Sequence, residues 1–385
     1  MITTDAWVLH RRPDDPAVPK RGELSRETFS FADVADHEAL VEPLVGSWEA
    51  NLDHALSRDP IDICRQRGES SVVLGNLAVV RVLRTGADVT SVSEGDTCLV
   101  LPFGECDRYG YVERVYAYDM PHTVGLLAKR TKLHAGILLP LPEDTPFSLA
   151  QWATYGRYFT AWDNWNVAHA CWSAQMRDED PAKHLVFGWG GGVAMAELEL
   201  ARRAGFRVAM TASTDARLSF LAEHGITGVD RRLFPDLSYS AEVADDPEAL
   251  ARYRASEKEF LRIIGELSDG AGAAIFLDNI GSPLYKATLK AMARQGVLAT
   301  VGWKHGMTTS TLRASECIKR HLHVNTHVWR IHDSARIRDF QNATAWMPPR
   351  ETVTTYAFDD VPQLAADYAA GRITTYFPTY QVNLL

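Results

Sequence analysis

The rhythm of polar and apolar positions changes along the chain. Residues 1–45 are largely polar and carry Pro13, Pro16 and Pro19, which predicts an irregular arm with one strand at Ala6–Leu9. From about Ser71 to Val100 the pattern becomes short β-branched runs, Val72–Leu74, Leu77–Leu83 and Thr97–Leu101, separated by Gly75-Asn76, Thr85–Asp88 and Glu94–Asp96. Strand-sized runs at ~8–12-residue spacing between turn signals predict a small barrel or sandwich. Tyr111–Tyr118 and Ile137–Leu141 continue the pattern. Past Pro142, Ser148–Asn164 is apolar and aromatic at helical spacing and predicts one or two helices.

From His184 onwards strands and helices alternate. Leu185–Phe187 predicts a buried strand, Val193–Ala204 a helix closed by Gly205, and Phe206–Met210 a second strand. A helix follows at Asp215–His224, ended by Gly225, then a strand at Ala273–Asp278, a helix at Tyr285–Arg294 and a strand at Val297–Val301. This alternation predicts an α/β fold with a parallel sheet covered by helices on both faces. Ala241–Glu259 is acidic and polar and reads as a solvated helix or surface loop. After His321 further short strand-like runs lead to Tyr376–Val382 and can complete the first β-rich region.

Length and composition narrow the function. At 385 residues the chain suits two domains. A formal charge of −9 argues against a nucleic-acid binder with a basic face and against a polybasic membrane-surface protein. The five cysteines form no Cys-x-x-Cys pair, which argues against a disulfide framework or a cysteine-rich zinc knuckle. The N-terminus has no apolar stretch of a secretory signal, and no run of about 18 apolar residues exists to span a membrane. The expectation is a cytoplasmic protein acting on a small molecule.

The strongest local motif is Gly188-Trp189-Gly190-Gly191-Gly192-Val193-Ala194, placed between a predicted strand and a predicted helix. Glycines there let the backbone approach a pyrophosphate, whose charge sits at the helix N-terminus. Ala194 takes the last position of the fingerprint, where Gly or Ala is permitted. An NAD site carries Asp or Glu ~20 residues on, at the tip of the second strand. Here the strand runs into Thr211-Ala212-Ser213-Thr214, with Arg217 just beyond. Hydroxyls and a guanidinium suit a 2′-phosphate, so the tip predicts NADPH. The same Ser213-Thr214-Asp215 run also reads as a helix cap, and the two roles are compatible.

These motifs, in this order, resemble the medium-chain dehydrogenase/reductase superfamily. The resemblance rests on Gly188–Ala204, Thr211–Thr214, Phe276–Gly281, Gly296–Gly302, Val72–Asn76 and Val89–Asp96, and covers roughly residues 45–385. It implies a GroES-like β-barrel domain over residues 1–160, completed by 326–385, and a Rossmann doubly wound sheet over 161–325, with the active site between them. It also implies that homodimers through the edge strands are common. The zinc branch of the family carries an early Cys and a Gly-His-Glu motif. The matched positions here are Ala50, in Ala50–His54, and Gly75-Asn76-Leu77. With a methyl and an amide in place of thiolate and imidazole, the three protein ligands of a catalytic zinc are not assembled. No metal is expected.

A zinc-free chain of this kind resembles the quinone oxidoreductase and enoyl reductase branch, which reduces an activated C=C bond in an enone, quinone or enoyl thioester. Two alternatives stay open: an NADPH-dependent carbonyl or alcohol oxidoreductase, and a cofactor-binding protein with little catalysis. Candidate proton donors or orienting groups are His54, Tyr109 and Tyr155, although a helix as aromatic as Trp152–Trp162 also reads as a core face. By family position Thr160 borders the nicotinamide pocket. Asn279 and Gly281 end a strand at the carboxyl edge, where ligands bind, and are expected to touch the ribose or nicotinamide. In Val301–His305, Gly302 is expected to let the backbone approach the ring with Trp303 beside it, while Lys304 and His305 read either as ligand contacts or as a solvated face. His321, His323 and His327 alternate onto one strand face but lack a carboxylate or thiolate partner, so they are not read as a metal site.

Overall fold

Strand pairing starts earlier than the polarity of the N-terminal arm predicts. In the computed structural model, which describes residues 1–15, 17–302, 318–326 and 329–384, Ile2–His10 pairs antiparallel with both Leu24–Phe31 and Ser71–Val73. Leu24–Phe31 is exposed along most of its length, so its sequence reads as polar although it is a strand. Arg26 holds it by pairing with Asp5 at 2.8 Å and with Asp359, its guanidinium 5.9 Å from the Trp7 ring centre. Pro13 and Pro19 fall in the connection between the two strands, where no ladder hydrogen bond is lost.

The chain divides into two compact units, Met1–Phe159 with Trp329–Leu385, and Thr160–Val328. The first is built on a seven-stranded sheet, in which Leu138–Pro140, Thr97–Val100, Ala78–Thr85, Glu38–Ser47, Phe377–Gln381 and Val353–Ala357 lie in that order. Thr131–His134 pairs with the first half of Glu38–Ser47. The C-terminal strand Phe377–Gln381 lies against the second half, so the end of the chain closes the sheet begun near its start. The structure places one helix before these late strands, Ser334–Thr344, and one between them, Val361–Ala369. The strand-like reading of that stretch overlooked the helical spacing of the buried Val361, Leu364 and Ala365.

The second unit is a six-stranded, wholly parallel sheet in the order Thr227–Asp230, Arg207–Ala212, Leu185–Trp189, Ala273–Asp278, Met292–Thr300, His323–Thr326. Numbered within the unit, this is the 3-2-1-4-5-6 arrangement of dinucleotide-binding folds, with its switch point between Leu185–Trp189 and Ala273–Asp278. Of the two readings of 241–259, helix or surface loop, the structure shows helix: a short one, Ala241–Asp245, and most of a 21-residue one, Pro247–Leu267. Asp246 caps the long helix by accepting from Glu248 N at 2.9 Å and Ala249 N at 3.3 Å. Its buried residues Tyr253, Phe260 and Ile264 follow helical spacing, and Phe260 packs on Phe187 and Trp189. The polar face dominated the composition and hid this stripe.

The helix Tyr285–Ala291 is shorter than expected because the strand after it opens at Met292. Gln295 adopts a φ of 61° there, and the register to Ala273–Asp278 shifts, so the strand absorbs extra residues before Val297. Among the described residues no helix is long and apolar enough to cross a membrane.

Candidate functional site

The glycine loop sits at the switch point of the parallel sheet. Gly190 has a φ of 138°, and a Cβ there would lie 2.6 Å from the Cβ of Asn279, so both the backbone and the space demand glycine. Gly191 is different. It caps the helix Gly192–Arg203 without a side-chain hydrogen bond, and a Cβ on it would meet nothing within 4 Å. The next amides, up to the bond from Met195 N to Gly191 O (3.2 Å), have no partner within the helix. Open space in front of unpaired N–H groups at a helix N-terminus is the donor set a pyrophosphate needs. Gly188 lies in the strand, and Gly192 and Val193 open the helix. Trp189, between the first two glycines, turns into the core: it is 1% exposed and its Nε1 donates to Asp278 at 3.1 Å.

The next strand supplies the opposite lip. The Asp278 carboxylate is fully buried and accepts from Ile280 N (2.9 Å), Gly281 N (3.0 Å), Trp189 Nε1 and the Thr300 hydroxyl (3.2 Å). It thereby shapes the turn in which Gly281 takes a φ of 94°. Asn279, expected to touch the ribose or nicotinamide, donates its side-chain Nδ2 to Glu197 Oε2 at 2.8 Å. Gly302 also has a packing reason. A Cβ on it would lie 2.2 Å from the carbonyl carbon of Asn279, so glycine there admits the 279–280 backbone. Trp303, Lys304, His305 and His327 lie outside the described residues.

At the second-strand tip Ser213 and Thr214 are exposed. Thr214 Oγ1 accepts from Arg217 N at 3.3 Å, so the capping role is present. The structure adds groups that sequence reasoning missed. Asp230 is in register beside Ala212, and Arg232 pairs with Asp230 at 2.8 Å and with Asp215. The signal was the short strand Thr227–Asp230, too brief to stand out beside its longer neighbours.

Glu197 was also missed. It lies within Gly192–Arg203, fully buried, and accepts from Asn164 Nδ2 at 2.5 Å and Asn279 Nδ2 at 2.8 Å. Burial pushes its carboxyl up to about 8, against the opposing pull of the two amides. One acidic residue among apolar helix positions, in Ala196-Glu197-Leu198, was the available signal.

In the β-rich unit the three candidate catalytic residues lie on three separate elements. His54 is buried in the helix Ala50–Ser57, beside Asp53, which pairs with Arg21 at 2.7 Å. Tyr109 is 58% exposed in the turn between Phe103–Cys106 and Val112–Val115, with the Arg108 guanidinium 4.5 Å from its ring centre. Tyr155 is 1% exposed and donates its hydroxyl to Ser334 O at 2.7 Å, and burial raises its pKa far above the ordinary phenol value. That hydrogen bond ties the start of the helix Tyr155–Gln175 to the Ser334 main chain. Thr160 is buried in the helix Tyr155–Gln175.

The same unit holds a narrow cleft lined by Asn51, Leu52, Ala55, Leu74, Asn76 and Tyr118 among others, too tight to admit a water molecule. Asn76 is 2% exposed, and neither its Oδ1 nor its Nδ2 has a hydrogen-bond partner; Asn51 Oδ1 is buried without one as well. Each such atom costs roughly 1–3 kcal/mol until something meets it. Two carboxamides can offer donor and acceptor to a bound oxygen.

With both sites described, the molecule is a two-part α/β protein: a GroES-like β-rich unit and a Rossmann unit with a dinucleotide-type glycine loop. No protein-family model matches the chain, and no curated protein matches it. Solved structures do. A crotonyl-CoA carboxylase/reductase, AntE, in complex with NADP superposes with a TM-score of 0.77 at 17% identity, over 98% of this chain and 94% of that one. The 2-octenoyl-CoA carboxylase reductase CinF, in complex with NADP and 2-octenoyl-CoA, gives 0.74 at 16% identity, over 98% and 87%. An NAD-dependent alcohol dehydrogenase gives 0.73 at 17% identity, over 98% and 100%. At these identities the likeness establishes the fold.

Proposed function

We propose that the protein is an NADPH-dependent, zinc-independent reductase of an activated C=C bond in an enone, quinone or enoyl thioester. The observation that carries this reading is the open space at Gly191, in front of the helix N-terminus and at the switch point of the parallel sheet. We assign nucleotide binding to the Thr160–Val328 unit. There the amides after Gly191 hold the pyrophosphate, and Ser213, Thr214 and Arg217 take the 2′-phosphate. Bound there, NADPH supplies a hydride; the protein supplies orientation and electrostatics.

Reduction of a conjugated carbonyl leaves negative charge on an oxygen, which needs donors in a dry place. Asn76 Nδ2 is buried and uncommitted and suits that task. Ala50 and Asn76, at the positions matched to zinc ligands, offer no strong ligand atom, which favours hydrogen bonding over Lewis-acid chemistry. Two of the three structures above are NADP complexes of enoyl-thioester carboxylase/reductases, which supports this direction of chemistry. A second reading, carbonyl or alcohol oxidoreduction, draws on one observation: Asn76 has both a donor and an acceptor free, the complement of a hydroxyl. A cytoplasmic, homodimeric enzyme fits either reading.

The test is a titration with NADPH and NADH, followed by turnover on enones and enoyl thioesters against ketones and aldehydes. Expected are at least tenfold tighter NADPH binding (about 1.4 kcal/mol) and oxidation of NADPH by the conjugated substrates alone. Turnover of simple ketones would select the second reading. Absence of nucleotide binding would overturn both.

A further inference from the structure

Glu197 has no role in the reading above, yet it is the most costly side chain near the glycine loop. A carboxyl with no exposed surface is expensive to bury. Its hydrogen-bond partners are two neutral amides, and the nearest charge acting on it is the like charge of Asp278. A buried acid without a counter-charge is explained by what it holds.

What it holds is Asn279, on which the parts of the switch point converge. Asn279 N donates to Trp189 O at 3.1 Å, tying the turn to the end of the first strand. Its Cβ faces Gly190 so closely that any side chain on Gly190 would collide with it. Its main chain packs against Gly302, at the exit of Met292–Thr300. Its amide reaches Glu197, which is fixed on the other side by Asn164 of the helix Tyr155–Gln175. The glycine loop, the 278–281 turn and two helices are therefore cross-braced through a single carboxyl.

We propose that Glu197 is a positioning residue for the nicotinamide-ribose half of the nucleotide, acting through Asn279. This rests on the nucleotide reading above. The brace holds Asn279, and with it the 278–281 turn, in register with the loop at Gly190–Gly191. It does not reach Ser213, Thr214 or Arg217, where the 2′-phosphate half is assigned. Loss of Glu197 then weakens the whole dinucleotide and leaves an adenosine 2′-phosphate fragment unaffected.

The experiment compares the wild type with Glu197→Ala, Glu197→Gln, Asn279→Ala and the Glu197→Ala/Asn279→Ala double variant. Binding of NADPH and of adenosine 2′,5′-bisphosphate is titrated for each. Expected is about tenfold weaker NADPH binding in each alanine variant and no further loss in the double. Glu197→Gln, which keeps an acceptor for one amide and turns a donor towards the other, falls between. Adenosine 2′,5′-bisphosphate binds all of them within twofold of the wild type, which also shows that they are folded. Equal weakening of both ligands would make Glu197 a general structural residue and overturn the proposal. So would additive losses in the double variant, or unchanged NADPH binding in Glu197→Ala. A wild type that binds the bisphosphate and NADPH equally well removes the positioning role while the nucleotide reading stands; a wild type that binds neither removes both.

Discussion

The glycine-loop edge of the parallel sheet and the amide cleft of the β-rich unit are built on opposite principles. The edge is made of main chain. Gly190, Gly191 and the amides that follow are consecutive in sequence, and what they offer is open space and N–H groups. The cleft is made of side chains brought from three distant segments, Asn51, Asn76 and Tyr118. A backbone site announces itself locally, because the φ angles and close approaches it requires restrict residue type position by position. A side-chain site appears only when the chain has folded.

The sharpest way to break that comparison is to add bulk at adjacent glycines. Gly191→Val projects into open space, so stability should change by about 1 kcal/mol or less, while NADPH binding falls by more than a hundredfold. Gly190→Ala should lose both. Its φ of 138° and the 2.6 Å approach to Asn279 are properties of the folded protein itself, before any ligand. Strain and overpacking together amount to about 2–5 kcal/mol. Thermal unfolding beside nucleotide titration separates the two. If Gly191→Val binds NADPH normally, the open space at Gly191 is not the phosphate site.

The same distinction explains what could be read in advance. The β-α-β alternation, the glycine loop and the strand end at Asp278–Gly281 were legible because the signals there are short-range. The helix Pro247–Leu267 was legible only as an alternative to a loop, and its buried stripe of Tyr253, Phe260 and Ile264 was missed because a charged outer face dilutes it. Leu24–Phe31 was missed because an exposed strand needs few apolar residues. Glu197, Arg232 and the unpartnered amide of Asn76 stayed hidden because each owes its significance to a partner, or the lack of one, across the fold. Asn279 and Gly302 were picked out at the correct edge, but their geometry shows a packing role that residue type alone does not reveal.

Asn76→Ala probes the side-chain site. If its amide stabilises charge on the substrate oxygen, kcat should fall by roughly a hundredfold, with NADPH affinity unchanged. Asn76→Ala should not unfold the protein, since it removes two unsatisfied buried atoms rather than a contact. Unchanged turnover would exclude Asn76 as a donor to the substrate oxygen. A smaller effect belongs to Arg217→Ala, which should weaken NADPH about tenfold, or about 1.4 kcal/mol, and leave NADH as it was. Equal losses for both nucleotides would exclude a 2′-phosphate contact. Arg232 would then become the next guanidinium to test, although Asp215 and Asp230 already neutralise it.

Tyr155→Phe should move catalysis least, and for that reason it separates the two kinds of residue most cleanly. The hydroxyl donates to Ser334 O in a buried setting, and burial disfavours its ionised form. Removing it deletes one neutral hydrogen bond, while the Ser334 carbonyl keeps its partner within the helix Ser334–Thr344, at a cost of about 0.5–1.5 kcal/mol in stability. Turnover should stay within about twofold, because a phenol fixed on the main chain has no proton to give to a substrate. A pH–rate profile of Tyr155→Phe superimposable on the wild type supports the anchor. A fall in kcat of a hundredfold at unchanged melting temperature would return Tyr155 to the catalytic group, and would mean that the bond to Ser334 opens during turnover.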